Sequence, residues 1–184
     1  INVLNGLTDL DSTLNITGGA NTDDLNFQAI TADGDVDINL LAGSNTVDVT
    51  GAAQFIANLD YTGGANDDSI DFDSTVAVVG TATIRLGDGL NNVNVNNAGS
   101  TAQFGSLQVT GGVNDDTIGF ADTLTVTGAA IFNLGTADVQ NTLDVTGVAT
   151  FNDTLSYTGG AAIDSIDFAN DLTVANLATI VLGD

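Results

Sequence analysis

A 184-residue chain that is 43% hydrophobic carries too much apolar side chain for a disordered acidic tail, so it folds. Its charge is one-sided: 24 acidic residues, all Asp, stand against a single base, Arg85, for a net charge of −23. That balance excludes nucleic acid and anionic membrane surfaces as partners, zero Cys excludes a disulfide framework or a thiolate metal site, and no apolar run approaches the roughly 18 residues of a membrane-spanning helix.

The chain lacks Pro, Met and Trp and has 22 Gly. Short strands joined by glycine turns fit that inventory. Asp in place of every Glu points to turns, where Asp bonds its own backbone or ligates a cation.

Along the chain, Leu14-Asn-Ile-Thr-Gly-Gly is the first copy of a segment that returns at Leu59, Leu107 and Leu155, so the spacings are 45, 48 and 48 residues. Each copy leads in register to a second apolar pair: Leu25 and Phe27, Ile70 and Phe72, Ile118 and Phe120, Ile166 and Phe168. Between copies the pattern is apolar-x-apolar throughout, as in Val76 and Val78, then Ala82, Ile84 and Leu86. That is period two, with no window of helical period. Ala-x-(Ile/Phe) recurs within the long repeat, as Ala82 to Ile84 then Ala102 to Phe104, and as Ala130 to Phe132 then Ala149 to Phe151. This recurrence implies a coil of about half the repeat, and the four Phe are expected in one interior column.

An antiparallel sandwich or a propeller fragment also has period-two strands, but neither repeats one apolar template at constant spacing along the chain. A solenoid does. The prediction is an all-β fold, a parallel β-helix (β-solenoid) of about 24 residues per coil with a 48-residue double-coil repeat. It runs as one continuous segment over residues 1–184, with repeats at approximately 14–58, 59–106, 107–154 and, incomplete, 155–184. Because the chain starts without Met and in mid-repeat, it reads as a segment of a longer protein.

After each Thr-Gly-Gly comes a turn that stands as Gly63-Gly-Ala-Asn-Asp-Asp68-Ser-Ile70-Asp, with counterparts from Gly18, Gly111 and Gly159. It resembles the Gly-Gly-x-Gly-x-Asp-x-apolar-x nonapeptide of the repeats-in-toxin family, whose sixth-position Asp and turn carbonyls hold Ca²⁺. The resemblance covers nine residues in each long repeat, and it implies a Ca²⁺ role for the sixth-position residues Asp23, Asp68, Asp116 and Asp164. Asn replaces Gly at the fourth position in Asn21, Asn66 and Asn114, and the nonapeptides are not in tandem. In the intervening coils the aligned residue is Asn, as Asn45, Asn91 and Asn141. Two aligned Asp are then about 9.6 Å apart, too far to share one ion directly. One reading is a Ca²⁺ held by Asp with the facing Asn45 or Asn91 carbonyl, favoured by the vicinal pairs Asp67-Asp68 and Asp115-Asp116. The other is a metal-free ladder of Asp and Asn capping turn amides.

Without His, Lys, Cys or Glu, the chain has few groups for general-base or covalent catalysis, and it is expected not to be an enzyme. Arg85, beside Gly87-Asp88-Gly89, is the one residue a polysaccharide lyase could use as base. In composition the chain resembles the β-strand-repeat segments of bacterial giant adhesins and surface-layer proteins. That resemblance implies a structural module of an extracellular fibrous protein at the cell surface, whose partners are copies of itself, neighbouring repeats or surface glycans. The alternative is a β-helix carbohydrate-active enzyme or glycan-binding module.

Overall fold

The computed structural model describes residues 7–95, 99–135 and 140–183. All its strand pairs are parallel, and each strand pairs with the strand about one coil further along the chain. Following the register of one column shows the coil directly: Asp24, Thr46, Ser69, Asn92, Thr117, Thr142 and Ser165 succeed one another at intervals of 22, 23, 23, 25, 25 and 23 residues. The coil is thus about 23 residues, and two of them make the 45- or 48-residue repeat.

Each coil has three faces. The first carries strands such as Ala53–Phe55 and Thr123–Val126, the second Leu59–Thr62 and Leu155–Thr158, and the third Ser69–Phe72 and Thr142–Val145. In the strands Val76–Arg85 and Thr101–Thr110 the chain passes from first to second face without a break in the strand, with a register irregularity between Val78 and Thr81. Side chains alternate in and out, so the apolar members of every triplet converge on one core.

Why the repeat is two coils and not one is visible in the columns. On the third face Phe27, Phe72, Phe120 and Phe168 alternate with Val49, Val95 and Val145. On the first, the Ala–Phe pairs of Ala53, Ala102 and Ala149 alternate with Val76–Val78 and Leu124–Val126. Large and small residues thus interleave along the stack, which lets successive layers fill space at interior density. Phe27, Phe72 and Phe120 are buried as expected, and Phe168 in the last described coil is partly buried against the core. Phe104 of the first face meets Phe120 of the third edge-on, with centroids 6.4 Å apart.

Ala82–Ile84 and Ala102–Phe104 are not one position displaced by a coil: the first pair sits on the second face beside Leu59–Tyr61, the second on the first face beside Val76–Val78. The same small-then-large device is used on two faces, which mimics a shorter period.

Candidate functional site

The corner between the second and third faces stacks its polar residues inside the rod. Asp68, Asp116 and Asp164 and the intervening Asn45, Asn91 and Asn141 are all buried, and Asp23 is half-buried. They form one column in which Asp and Asn alternate. The Asp23 N–H donates to Asn45 Oδ1 at 3.0 Å, and the Asn45 N–H to Asp68 Oδ1 at 2.9 Å. The Asp68 N–H donates to Asn91 Oδ1, the Asp116 N–H to Asn141 Oδ1 and the Asn141 N–H to Asp164 Oδ1, each at 2.9 Å. Asn91 reaches upward with its side chain, Nδ2 donating to Asp116 Oδ1 at 2.9 Å. The alternation has an electrostatic reason. Carboxylates at every coil would lie about 4.8 Å apart in a medium of low dielectric, whereas Asn doubles the spacing and supplies donors as well as an acceptor.

The Thr-Gly-Gly turn is shaped around the carboxylate. Gly64 N–H donates to Asp68 Oδ2 at 3.0 Å and Gly19 N–H to Asp23 Oδ2 at 2.7 Å. The first glycine of each pair, Gly18, Gly63, Gly111 or Gly159, has the Asp Oδ2 where a Cβ would stand, so any side chain there collides with the ladder. In the Asn coils the turn uses Gly43 and Gly89 at φ of +103° and +106°, and their carbonyls accept from Asn45 and Asn91 Nδ2 at 2.9 and 3.1 Å. The Asn at the fourth position of the turn is occupied too: Asn66 and Asn114 Oδ1 accept the N–H of Gly43 and Gly89, each at 3.2 Å.

Burial raises the Asp68 carboxyl above its ordinary value and pushes Asp116 up to about 6, against the lowering effect of the hydrogen bonds they receive. Tyr61 and Tyr157, buried on the second face, are raised by burial and then by the charges of Asp68 and Asp164 respectively. Asp116 Oδ2, Asp164 Oδ2 and the Tyr157 hydroxyl are buried with no hydrogen-bond partner in the protein.

These contacts decide how a calcium ion would fit. Ca²⁺ requires six to eight oxygens with lone pairs turned toward it, whereas what converges on the Asp68 carboxylate is backbone N–H. Among the described residues no group of three carboxylates could hold a metal ion. Asp67 and Asp115, the outer members of the vicinal pairs, are exposed, and their Oδ1 atoms accept the N–H of Leu90 and Gln140, each at 2.8 Å. Around Asp68 the donors therefore face the carboxylate as they do in an Asx ladder, in place of the oxygens a resident Ca²⁺ needs.

A second column escaped the sequence reading. On the outside of the third face Asn26, Asp48, Asp71, Asn94, Gly119, Asp144 and Asp167 stand in register. Asn again supports Asp, with Asn26 Nδ2 donating to Asp48 Oδ2 at 3.3 Å and Asn94 Nδ2 to Asp71 Oδ1 at 3.0 Å. The signal was the middle residue of each Ile-x-Phe or Val-x-Val triplet, which is legible only once the coil spacing is known. Arg85 points outward and is exposed, 3.6 Å from Asp60. No protein-family model matches the chain, and neither a curated protein nor a solved structure matches it.

Proposed function

We propose that this chain is a structural repeat module of an extracellular fibrous, adhesin or surface-layer protein, a spacer rod and not an enzyme. The observation that supports it is the unbroken column of Asp and Asn, which commits the carboxylates with the most perturbed surroundings to holding one coil on the next. Buried inside the rod and bonded from coil to coil, these carboxylates are out of a substrate's reach. Arg85, tied to Asp60 on an outer face, neutralises charge. Release of reducing or unsaturated sugar from acidic polysaccharides, abolished by Arg85→Ala, would instead place the chain with the carbohydrate-active β-helix enzymes.

Calcium stabilisation belongs to this reading only as a diffuse ion atmosphere around a rod of charge −23. Screening acts over about 8 Å at physiological ionic strength and is supplied equally by monovalent salt. Specific binding adds about 2.7 kcal/mol when ligand is a hundredfold above its Kd, and monovalent salt cannot replace it. Thermal melts in chelator are therefore expected to rise with NaCl to about 0.5 M, where the Debye length is only about 4 Å, and to gain nothing further from millimolar Ca²⁺. A further Ca²⁺ increment that disappears in the double variant Asp67→Asn, Asp115→Asn would restore a turn-bound ion.

A further inference from the structure

Carboxylates are unevenly spread over the rod. Between residues 74 and 134 they occur only as Asp88, Asp115, Asp116 and Asp122, none of them in the strands Val76–Arg85, Thr101–Thr110, Thr123–Val126 or Ala130–Asn133. Those strands make the first and second faces of three successive coils, joined at one corner. A body of charge −23 thus keeps a strip free of carboxylates. The strip is also relieved. Val79 stands out from it, 62% exposed, and the next coil has Gly105 at the same corner, where a Cβ would meet the carbonyl oxygens of Val79 and Gly80. A groove of about 320 Å³ results, lined by Ala77, Val79, Gln103, Gly105, Thr125 and Thr127.

We propose that this strip is a side-by-side contact between two copies of the chain running antiparallel, with Val79 of each seated over Gly105 of the other. The proposal rests on the structural reading above, since it supplies lateral cohesion to a fibre. A knob and a hollow one coil apart are self-complementary about a two-fold axis that passes between them. Charge selects the occupant. A cationic partner is drawn to the acidic faces, a polyanion is repelled everywhere, and a glycan platform needs an exposed aromatic ring, which the strip lacks: Phe104 in its floor is 5% exposed. Here another copy can approach both faces and the corner between them without burying a carboxylate. Three coils at about 4.8 Å each make a strip only about 14 Å long, short of what a stable dimer buries, so each contact is weak and gains strength from repetition along a longer rod.

The test is sedimentation equilibrium of the intact chain up to millimolar concentration, in low salt and in about 0.5 M NaCl, where the Debye length falls to about 4 Å. Self-association is expected to strengthen at least several-fold in high salt, because salt screens the repulsion between the flanking acidic surfaces. Val79→Asp is expected to abolish it with the melting temperature unchanged, since Val79 is exposed, while Val113→Asp, comparably exposed at another corner, leaves it intact. Mild oxidation of Gln103→Cys should give a disulfide-linked dimer faster than Val113→Cys. A chain that stays monomeric at millimolar concentration in high salt, or that loses association equally in both Asp variants, overturns the contact; so does a neutral glycan that binds in a Val79→Asp-sensitive way to a chain that remains monomeric. None of these results bears on the melts or the sugar-release assay, so the contact and the structural reading fail separately.

Discussion

Replacing Asn91 by Asp is expected to destabilise the rod by about 3–5 kcal/mol at pH 7, the cost of an uncompensated buried charge. Asn91 is 2% exposed and makes the densest set of contacts in the ladder: it accepts the Asp68 N–H and donates to Asp116 Oδ1, Gly87 O and Gly89 O. A carboxylate in its place keeps the acceptor, loses every donor, and faces Asp116 Oδ1 across a hydrogen-bond distance with nothing between. Asn91→Ala removes acceptor and donors together and is expected to cost about 2–5 kcal/mol, at about 1–3 kcal/mol per buried polar group left unpaired. The two variants separate on acidification. One proton shared between the introduced carboxyl and Asp116 restores an O–H···O bond, so the Asn91→Asp variant should regain most of its loss below about pH 5, and the Asn91→Ala variant should not.

The wild type has its own slope in the same experiment. Asp116 has a folded value of about 6 against an ordinary 3.8, so the folded state binds its proton more readily than the unfolded chain. Its contribution, roughly 3 kcal/mol, is fully present below pH 3.8 and is lost as pH rises through 6. Asp68, raised by burial, acts in the same direction. The rod is therefore expected to gain stability between pH 7 and pH 4, contrary to the usual acid lability of proteins whose carboxylates are salt-bridged. Melts of the wild type and both variants at half-unit pH steps check all three statements. An Asn91→Asp chain as stable as the wild type at pH 7 would show that the column is not a tightly packed hydrogen-bonded stack.

Truncating Phe120 to Ala is expected to cost about 3–5 kcal/mol, from lost transfer energy and from the cavity left behind. Phe120 is 4% exposed, sits between Val95 and Val145 in its column and meets Phe104 edge-on. Because its column neighbours are small, nothing large lies above or below to collapse into the hole, which places the loss toward the upper end. Each coil is bounded only by its neighbours, so the damage should appear in hydrogen exchange as lost protection in the flanking coils first. Thr125→Ala, on an outward position of the same region, should stay within about 0.5 kcal/mol. A loss below about 1 kcal/mol for Phe120→Ala would mean that the column is not core.

The architecture was legible because a solenoid writes one template repeatedly: Leu-x-Ile/Tyr/Val-Thr-Gly-Gly and Ile-x-Phe keep their offset from copy to copy, and parallel stacking requires that constancy. The ladder was legible as a choice of two, because Asp and Asn at alternate coils are equally the signature of shared ion ligands and of mutual amide caps. What decides between them is donor direction, and backbone N–H groups leave no mark on a sequence. The three faces were not legible, since Ala82–Ile84 and Ala102–Phe104 look alike while lying on different faces, and a period-two pattern does not say where a strand turns a corner. The carboxylate-free strip was hidden for the same reason: it joins residues from three coils, and only the register brings Val79, Gly105 and Thr127 to one corner.

The central claim, that successive coils stack in parallel at this register, is tested most directly by disulfide trapping, which the absence of native Cys makes clean. Thr117 and Thr142 are register partners on the third face, and Ser165 is the partner of Thr142 one coil further on. Side chains of directly paired residues share a side of the sheet, with Cα atoms about 4.8 Å apart, inside the roughly 4.4–6.8 Å range of a disulfide. Thr117 and Ser165 are about 9.6 Å apart, outside it. Under mild oxidation the Thr117→Cys, Thr142→Cys chain is expected to close an intramolecular disulfide quantitatively with its melting temperature kept or raised, and the Thr117→Cys, Ser165→Cys chain to remain reduced. Equal closure of both pairs, or closure of the second alone, would contradict the stack.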